Sequence, residues 1–151
     1  MLALVAVLGN FTTSQDRCWF CIWEGYGFWW ASGHSPLYTP EVPAEQRAAY
    51  WQEAQQQDDF LRKVPRVQTE NRAYFLFRGP LSAASSFNFE SSRQSPNLWW
   101  PGDRSWCVAT EIDAYSTYLG GSRKCIDQVL AAVELETIEV ADNTLIDPGV
   151  H

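Results

Sequence analysis

Histidine is nearly missing from this chain, whose 151 residues include only His34 and His151. A Ser-His-Asp or Cys-His site needs a histidine base, and a zinc site with two histidine ligands would need both of them. His34 lies in a segment rich in Gly, Ser and Pro, where a loop histidine is the ordinary interpretation. Phosphate-binding and dinucleotide-binding glycine motifs are missing too, as is the nucleophile elbow. We therefore predict no cofactor and no metal.

Basic residues are few and dispersed. Eleven Lys and Arg residues stand against 18 Asp and Glu residues, which gives a net charge of -7. Residues 125–151 contain six carboxylates and no Lys or Arg. Such a surface repels phosphate backbones and anionic lipids. The composition predicts no nucleic-acid and no membrane partner, and an unknown protein or a small-molecule ligand is the expected partner.

The apolar run at residues 2–8 is far shorter than the roughly 20 residues that a membrane-spanning helix needs. No basic region precedes the run and no convincing cleavage site follows it, so it does not read as a signal peptide. We interpret residues 1–8 as the last turns of a buried helix and predict a cytoplasmic protein.

Cysteine is present at four positions: Cys18, Cys21, Cys107 and Cys125. Cys18 and Cys21 lie in a β-branched and aromatic run that is typical of a strand. Residues three apart on a strand point to opposite faces, so this pair can neither chelate one metal nor form one disulfide while the chain is extended. We predict four free thiols.

Eight tryptophans are the prominent feature of the composition. The hydrophobic pattern predicts a first strand at residues 17–24 that is apolar on both faces and therefore central. Further strands are predicted at 73–77, 105–113 and 135–140, helices at 1–8, 44–61 and 122–133, and loops at 25–43 and 81–102. This order predicts a single α+β domain over residues 1–151, with a mixed or largely antiparallel sheet of about four or more strands and flanking helices.

Three segments resemble an uncharacterised family of mainly actinomycete proteins: CWFCIWEGYG (18–27), YFLFRGPL (74–81) and SPNLWWPGDRSWCVATEIDAYSTYLGGS (95–122). The resemblance implies no activity and assigns no functional residue, because no activity is established for the family. Its members often carry a longer N-terminal portion, which implies that residues 1–8 are the remnant of one. The predicted helix at 44–61 departs from the family in being longer and richer in Gln.

Carboxylates and tryptophans supply one candidate site. Glu24 ends the first predicted strand, and Glu111 and Asp113 share a face of the third at about 6–7 Å, between the spacings of retaining and inverting glycosidases. The predicted loops carry aromatic pairs that could stack on sugar rings or contact a partner. These pairs are Trp29-Trp30 and Trp99-Trp100. The alternatives are a glycosidase-like site, a binding pocket, and a purely structural role.

A second candidate is an anion site at the start of the last predicted helix, formed by Gly120, Gly121, Ser122, Arg123 and Lys124. Free backbone N–H groups, a hydroxyl and two cations can hold an anion there. The two cations oppose the helix dipole, a conflict that a bound anion or a nearby carboxylate would relieve. The same residues also make an ordinary turn and helix cap.

The favoured interpretation is a non-catalytic binding or interaction module whose aromatic loops, with Trp29, Trp30, Trp99 and Trp100, form the contact surface. The alternative is a hydrolase that uses Glu24, Glu111 and Asp113. A third hypothesis is an acidic immunity-type inhibitor of a basic toxin, which the net charge would suit.

Overall fold

The computed structural model describes residues 1–26, 43, 45, 52, 56, 59–89, 92–93, 95–111 and 116–141. The chain forms two compact units, Met1–Ile22 with Phe77–His151, and Trp23–Leu76. The prediction of a single domain stays a prediction. Within the described residues, no helix has the length and apolar character needed to cross a membrane.

The fold is α+β, as predicted, and its sheet is antiparallel. Helix α1 spans Leu2–Gly9 and helix α2 spans Arg123–Leu130, residues 59–63 are also helical, and 3-10 helices occupy Glu24–Tyr26 and Leu81–Ser85. The described strands are β1 (Cys18–Trp23), β2 (Arg66–Gln68), β3 (Ala73–Gly79), β4 (Asn88–Phe89), β5 (Ser92–Arg93), β6 (Leu98–Pro101), β7 (Trp106–Thr110) and β8 (Thr117–Gly121).

Six of these strands form one sheet in the order β2-β3-β1-β6-β7-β8, and β4 pairs with β5 separately. Strand β1 lies inside the sheet, with Phe20 buried on one face and Cys21 buried on the other, which confirms the predicted central strand. The register pairs Phe20 with Trp99 and Trp99 with Val108. We call the face that carries these three residues the inner face, and the opposite one, with Trp19 and Trp100, the outer face.

The inner face holds the hydrophobic core. Trp99 packs between Phe20, at 6.3 Å between ring centroids, and Trp106, at 5.2 Å in an edge-on arrangement. The Trp106 indole N–H donates a hydrogen bond to the Leu8 carbonyl oxygen at 3.1 Å, which ties the end of α1 to the sheet. The buried residues of this core are Leu8, Cys18, Phe20, Leu81, Ala84, Trp99, Trp106, Val108, Cys125 and Val129.

The predicted loop at 81–102 is wrong, because it contains β6 and a 3-10 helix. Pro96 and Pro101 bracket the short run Leu98 to Trp100, and proline normally argues against a strand. Here Pro101 is the last strand residue, opposite Cys18, where its missing N–H does little harm. Local pattern therefore missed a strand that its neighbours β1 and β7 stabilise.

The predicted strand at 135–140 is also wrong, since this segment has no regular structure. Its alternation lacks a neighbouring strand, and Ile138 is 84% exposed. Val133, the last residue of the helix predicted at 122–133, is 94% exposed because α2 already ends at Leu130. The predicted helix at 44–61 lies mostly outside the described residues, although residues 45, 52, 56 and 59–61 are helical.

Candidate functional site

A line of side chains crosses the outer face from strand to strand. Trp19 of β1 lies opposite Trp100 of β6, and Cys107 of β7 lies opposite Gly120 of β8. Because Trp99 pairs with Val108, the antiparallel register places Trp100 beside Cys107. Residues directly opposite on neighbouring strands share a face, so all four side chains point outward.

Arg78 of β3 extends this line. Its guanidinium carbon lies 5.9 Å from the centroid of the Trp19 ring, within the range of a cation–π contact. Arg78 is exposed, and no carboxylate pairs with it in the part of the chain that the structure describes. We call the set Arg78, Trp19, Trp100, Cys107 and Gly120 the outer-face row.

The outer face is closed at one end and open at the other. Cys21 is 0% exposed, whereas Cys107, on the same face, is exposed. A methyl group added to Gly120 would meet nothing within 4 Å. Trp19 and Trp100 are half-buried between these extremes. The row therefore presents two partly exposed tryptophan rings, with free space beside the small residues Cys107 and Gly120.

The cysteine thiols on the outer face are protonated and therefore weak nucleophiles. All four cysteines are free, and β1 places Cys18 and Cys21 on opposite faces. Burial, and then the neighbouring Cys107, raises the pKa of Cys21 to about 12. Burial also raises the pKa of Cys107. Both stay protonated at neutral pH, so neither has the thiolate character of a catalytic nucleophile. The described residues include no group of three or more potential metal ligands.

The tryptophans that were predicted to form one contact surface lie in different environments. Trp99 is 0% exposed and lies in the core, so its assignment to a loop contact surface is wrong. Trp100 lies on the strand β6 too, but its side chain belongs to the outer-face row. Strand alternation explains the difference, since neighbouring residues point to opposite faces. Trp29 and Trp30 lie outside the described residues.

Of the predicted carboxylate site, only Glu24 and Glu111 lie within the residues that the structure describes. Glu24 begins a 3-10 helix and forms an ion pair with Arg66 at 2.5 Å. Strand β7 ends at Thr110, so Glu111 follows it instead of lying within it, and Asp113 lies outside the described residues. The expected pairing of Glu111 with Asp113 on one strand face therefore stays a prediction.

The predicted anion site is a helix cap in which one of the two cations, Arg123, is already paired with carboxylates. The Ser122 hydroxyl accepts a hydrogen bond from the Cys125 N–H at 3.4 Å. The Arg123 guanidinium binds the carboxylate of Asp127, at 2.9 Å from its Nε atom, and that of Glu139. These hydrogen bonds raise the pKa of Arg123 and lower that of Glu139. Gly120 and Gly121 close β8. Nearby carboxylates thus relieve the conflict with the helix dipole.

Asp103 was missed by the sequence analysis. Its carboxylate accepts hydrogen bonds from the Thr13 N–H at 2.7 Å, the Thr12 hydroxyl at 2.8 Å and the Ser105 hydroxyl at 2.8 Å. Burial alone would raise the pKa of Asp103, but these bonds outweigh it and hold the pKa well below its usual range. Asp103 fastens the loop after α1 to the turn between β6 and β7. Its role is structural.

An open groove of about 460 Å³ lies between α1 and the 3-10 helix Leu81–Ser85. Two hydrogen bonds lie in its wall: the Gln15 side-chain amide donates to the Gly9 carbonyl oxygen at 2.6 Å, and the Leu81 N–H donates to the Gln15 carbonyl oxygen at 2.7 Å.

Neither the protein-family models, nor the curated proteins, nor the solved structures contain a match to this chain. The function therefore has to be argued from the geometry of the outer-face row.

Proposed function

We propose that this chain is a non-catalytic binding module and that the outer-face row is its contact surface. The observation that carries the proposal is the half-buried pair Trp19 and Trp100, side by side on an open sheet face. Aromatic side chains dominate binding hot spots because they combine a large apolar area with few rotatable bonds. Tryptophans needed only for the core would lie on the inner face, as Trp99 and Trp106 do.

The row has room for a flat apolar group that carries an anion. Cys107 and Gly120 are small, so the edge of the Trp100 ring is accessible from their side. Arg78 stacks on Trp19 at the other end and has no described carboxylate partner. Neighbouring strands are about 4.8 Å apart. A ligand or partner segment with a ring on Trp100 and a carboxylate about 10 Å away would fit both ends.

The same proposal places the protein in the cytoplasm, with neither nucleic acid nor membrane as its partner. The net charge of -7 supports the exclusion of polyanions, and a single exposed arginine in the outer-face row does not reverse it. Four free cysteines, three of them buried, support a reducing compartment.

A hydrolase is not favoured by any described contact. Glu24 is held by Arg66, which gives it a structural role in its own unit. The immunity-type inhibitor has the acidic charge in its favour, but no local feature adds to that.

Cys107 provides a direct test. It is the exposed cysteine of the four, so bromotrifluoroacetone should label it selectively and place a fluorine reporter within the row. Small aromatic and sugar-ring compounds, each with and without a carboxylate, would be titrated and followed by fluorine NMR. We expect saturable shifts with ring compounds that carry a carboxylate, and weaker shifts with their neutral counterparts.

Variants locate the binding. Trp100→Ala should abolish the shifts, whereas Arg78→Gln should reduce the preference for carboxylates and leave the neutral rings unaffected. Val133→Ala, at a fully separate and 94% exposed position, is the control and should change nothing. A folded Trp100→Ala protein that binds like the parent, or a complete lack of saturable shifts, would contradict the proposal.

A further inference from the structure

Strand β8 is the last strand at one edge of the sheet that the described residues form. One side of Thr117–Gly121 pairs with β7 along its whole length. On its other side, the backbone has no hydrogen-bond partner among the residues that the structure describes. Such an edge is a template for a further strand unless side chains protect it.

The other edge of the sheet, β2, is protected and β8 is not. Strand β2 has three residues, follows Pro65, and exposes Arg66 and Gln68. Short length, proline and charge are the usual devices that block edge pairing. Strand β8 has five residues, with no proline and no charge, and it ends in the exposed glycines Gly120 and Gly121.

We infer that β8 pairs antiparallel with β8 of a second copy of this chain, about a twofold axis at Leu119. This register places Tyr118 of one copy opposite Gly120 of the other, and Thr117 opposite Gly121. Residues opposite one another share a face. Tyr118 lies on the outer face, since it pairs with Ala109, and so does Gly120. The Tyr118 ring of the second copy thus enters the space above Gly120, where nothing lies within 4 Å.

The pairing is self-complementary, as a twofold interface requires. The larger residues of one strand meet the glycines of the other on both faces. Tyr118 of the second copy also lies one strand beyond Cys107 on the same face, across Gly120, and extends the open end of the outer-face row. The inference does not rest on ligand binding, because it follows from the edge alone.

One pair of five-residue strands buries less than the ~1,200 Å² of a standard interface, so we expect a reversible dimer at micromolar or higher concentrations. Each copy carries a net charge of -7. Repulsion between the copies is screened by salt, so dimerisation should strengthen as ionic strength rises.

The test is sedimentation velocity from about 1 µM to about 1 mM, with the intact chain. We expect the parent to shift from monomer to dimer, and Gly120→Lys to stay monomeric over this range. A lysine at this position has free space within the monomer but meets Tyr118 and a like charge in the dimer. Gln68→Lys, which adds the same charge to the other edge strand, should dimerise like the parent.

Backbone protection gives a second measurement. Amide hydrogen exchange of β8 should slow as the concentration of the parent rises and should not depend on concentration in Gly120→Lys. A parent that is monomeric throughout, or a dimer that Gly120→Lys leaves intact, would overturn the inference. Trp100→Ala should leave the sedimentation unchanged, which separates this result from the proposed binding function.

Discussion

Trp99 and Trp100 are consecutive residues with different surroundings. Trp99 points to the inner face, is 0% exposed, and contacts the rings of Phe20 and Trp106. Trp100 points to the outer face, is half-buried, and lies opposite Trp19. One peptide unit therefore separates a residue that stabilises the fold from a residue that is available for contact.

The two faces differ in what covers them. Helices α1 and α2 and the 3-10 helix Leu81–Ser85 cover the inner face around Trp99 and Val108. The outer face is closed at Cys21 but open at Cys107 and Gly120. A strand that is apolar on both faces thus does not imply two cores. It can equally carry a core on one face and a recognition surface on the other.

The thiols should show the largest contrast. Cys107 should react with a chromogenic disulfide in the native protein, whereas Cys18, Cys21 and Cys125 should react at least about a thousandfold more slowly, since an opening free energy of about 4 kcal/mol gives this factor. The unreduced, denatured protein should yield four thiols. Rapid reaction of Cys21 would show that the outer face is open along its length, and stoichiometric zinc in the purified protein would contradict the strand geometry.

Truncation of the two tryptophans should separate the faces by stability. Trp99→Ala removes a fully buried ring and should lower the free energy of unfolding by about 3–5 kcal/mol. Trp100→Ala should lower it by only about 1–2 kcal/mol, because its ring is already partly exposed to water. Urea denaturation followed by circular dichroism measures both. Equal losses would mean that the outer face is a second core.

The two glycines that end β8 differ in the same way, since Gly120 lies on the outer face and Gly121 on the inner face. A Cβ on Gly121 would lie 3.4 Å from the Cys125 sulfur and from the Trp106 Cβ, whereas Gly120 has open space. Gly121→Val should therefore destabilise the protein by about 1–3 kcal/mol through overpacking. Gly120→Val should be neutral or stabilising by up to about 1 kcal/mol, because it restricts the unfolded chain. Measurements at low protein concentration keep dimerisation out of this comparison, and a larger loss for Gly120→Val would reverse the assignment of the faces.

Asp103 binds the loop that follows α1, and α1 covers the inner face. Replacing Asp103 should therefore change the packing of the inner face and leave the outer face as it is. Asp103→Asn weakens the bonds to Thr12 and Thr13 and should lower stability by about 1 kcal/mol, allowing for the exposure of the carboxylate. The folded pKa lies below the unfolded value of about 3.9. The contribution is therefore complete above about pH 4 and is lost as the pH falls toward the folded pKa.

Denaturation of the parent and of Asp103→Asn between neutral and acid pH measures this difference, which should shrink below about pH 4. Cys18, whose thiol donates to the Ser14 carbonyl oxygen at 3.6 Å, should become more reactive in the variant, while Cys107 should not change. If the difference in free energy of unfolding did not depend on pH, the ionised carboxylate would not be the group that stabilises this loop.

Strands β1 and β3 and helix α2 could be predicted because their patterns are long enough to show a period. Strand β8 could not, since Thr117–Gly121 ends in two glycines and gains its structure from β7. Residues 135–140 have the strand pattern but no neighbouring strand. Sequence pattern reports the tendency to extend, whereas pairing depends on partners that are distant in the chain.

The candidate site was predictable in part for the same reason. Trp100 could be selected from its aromatic context, but the different fate of Trp99 required knowledge that both lie on a strand. The contact of Arg78 with Trp19 arises because β3 lies next to β1 in the sheet, which no local pattern reveals. Cys107 and Gly120 matter only through their register with Trp100.

The smallest effect should be that of phosphate on the turn at residues 120–124, and it contrasts two arginines. Arg78, on the outer face, has no described carboxylate partner, whereas Arg123 is bound by Asp127 and Glu139. An anion at Arg123 would have to displace two carboxylates that belong to the chain. Phosphate or sulfate should therefore raise Tm no more than chloride does at equal ionic strength, and the double variant Arg123→Ala, Lys124→Ala should give the same result. If the turn did bind phosphate, a concentration of about a hundred times Kd would add about 2.7 kcal/mol, and the double variant would abolish that gain. Such a gain would show that anions bind at this turn, and it would weaken the proposal that they bind at Arg78.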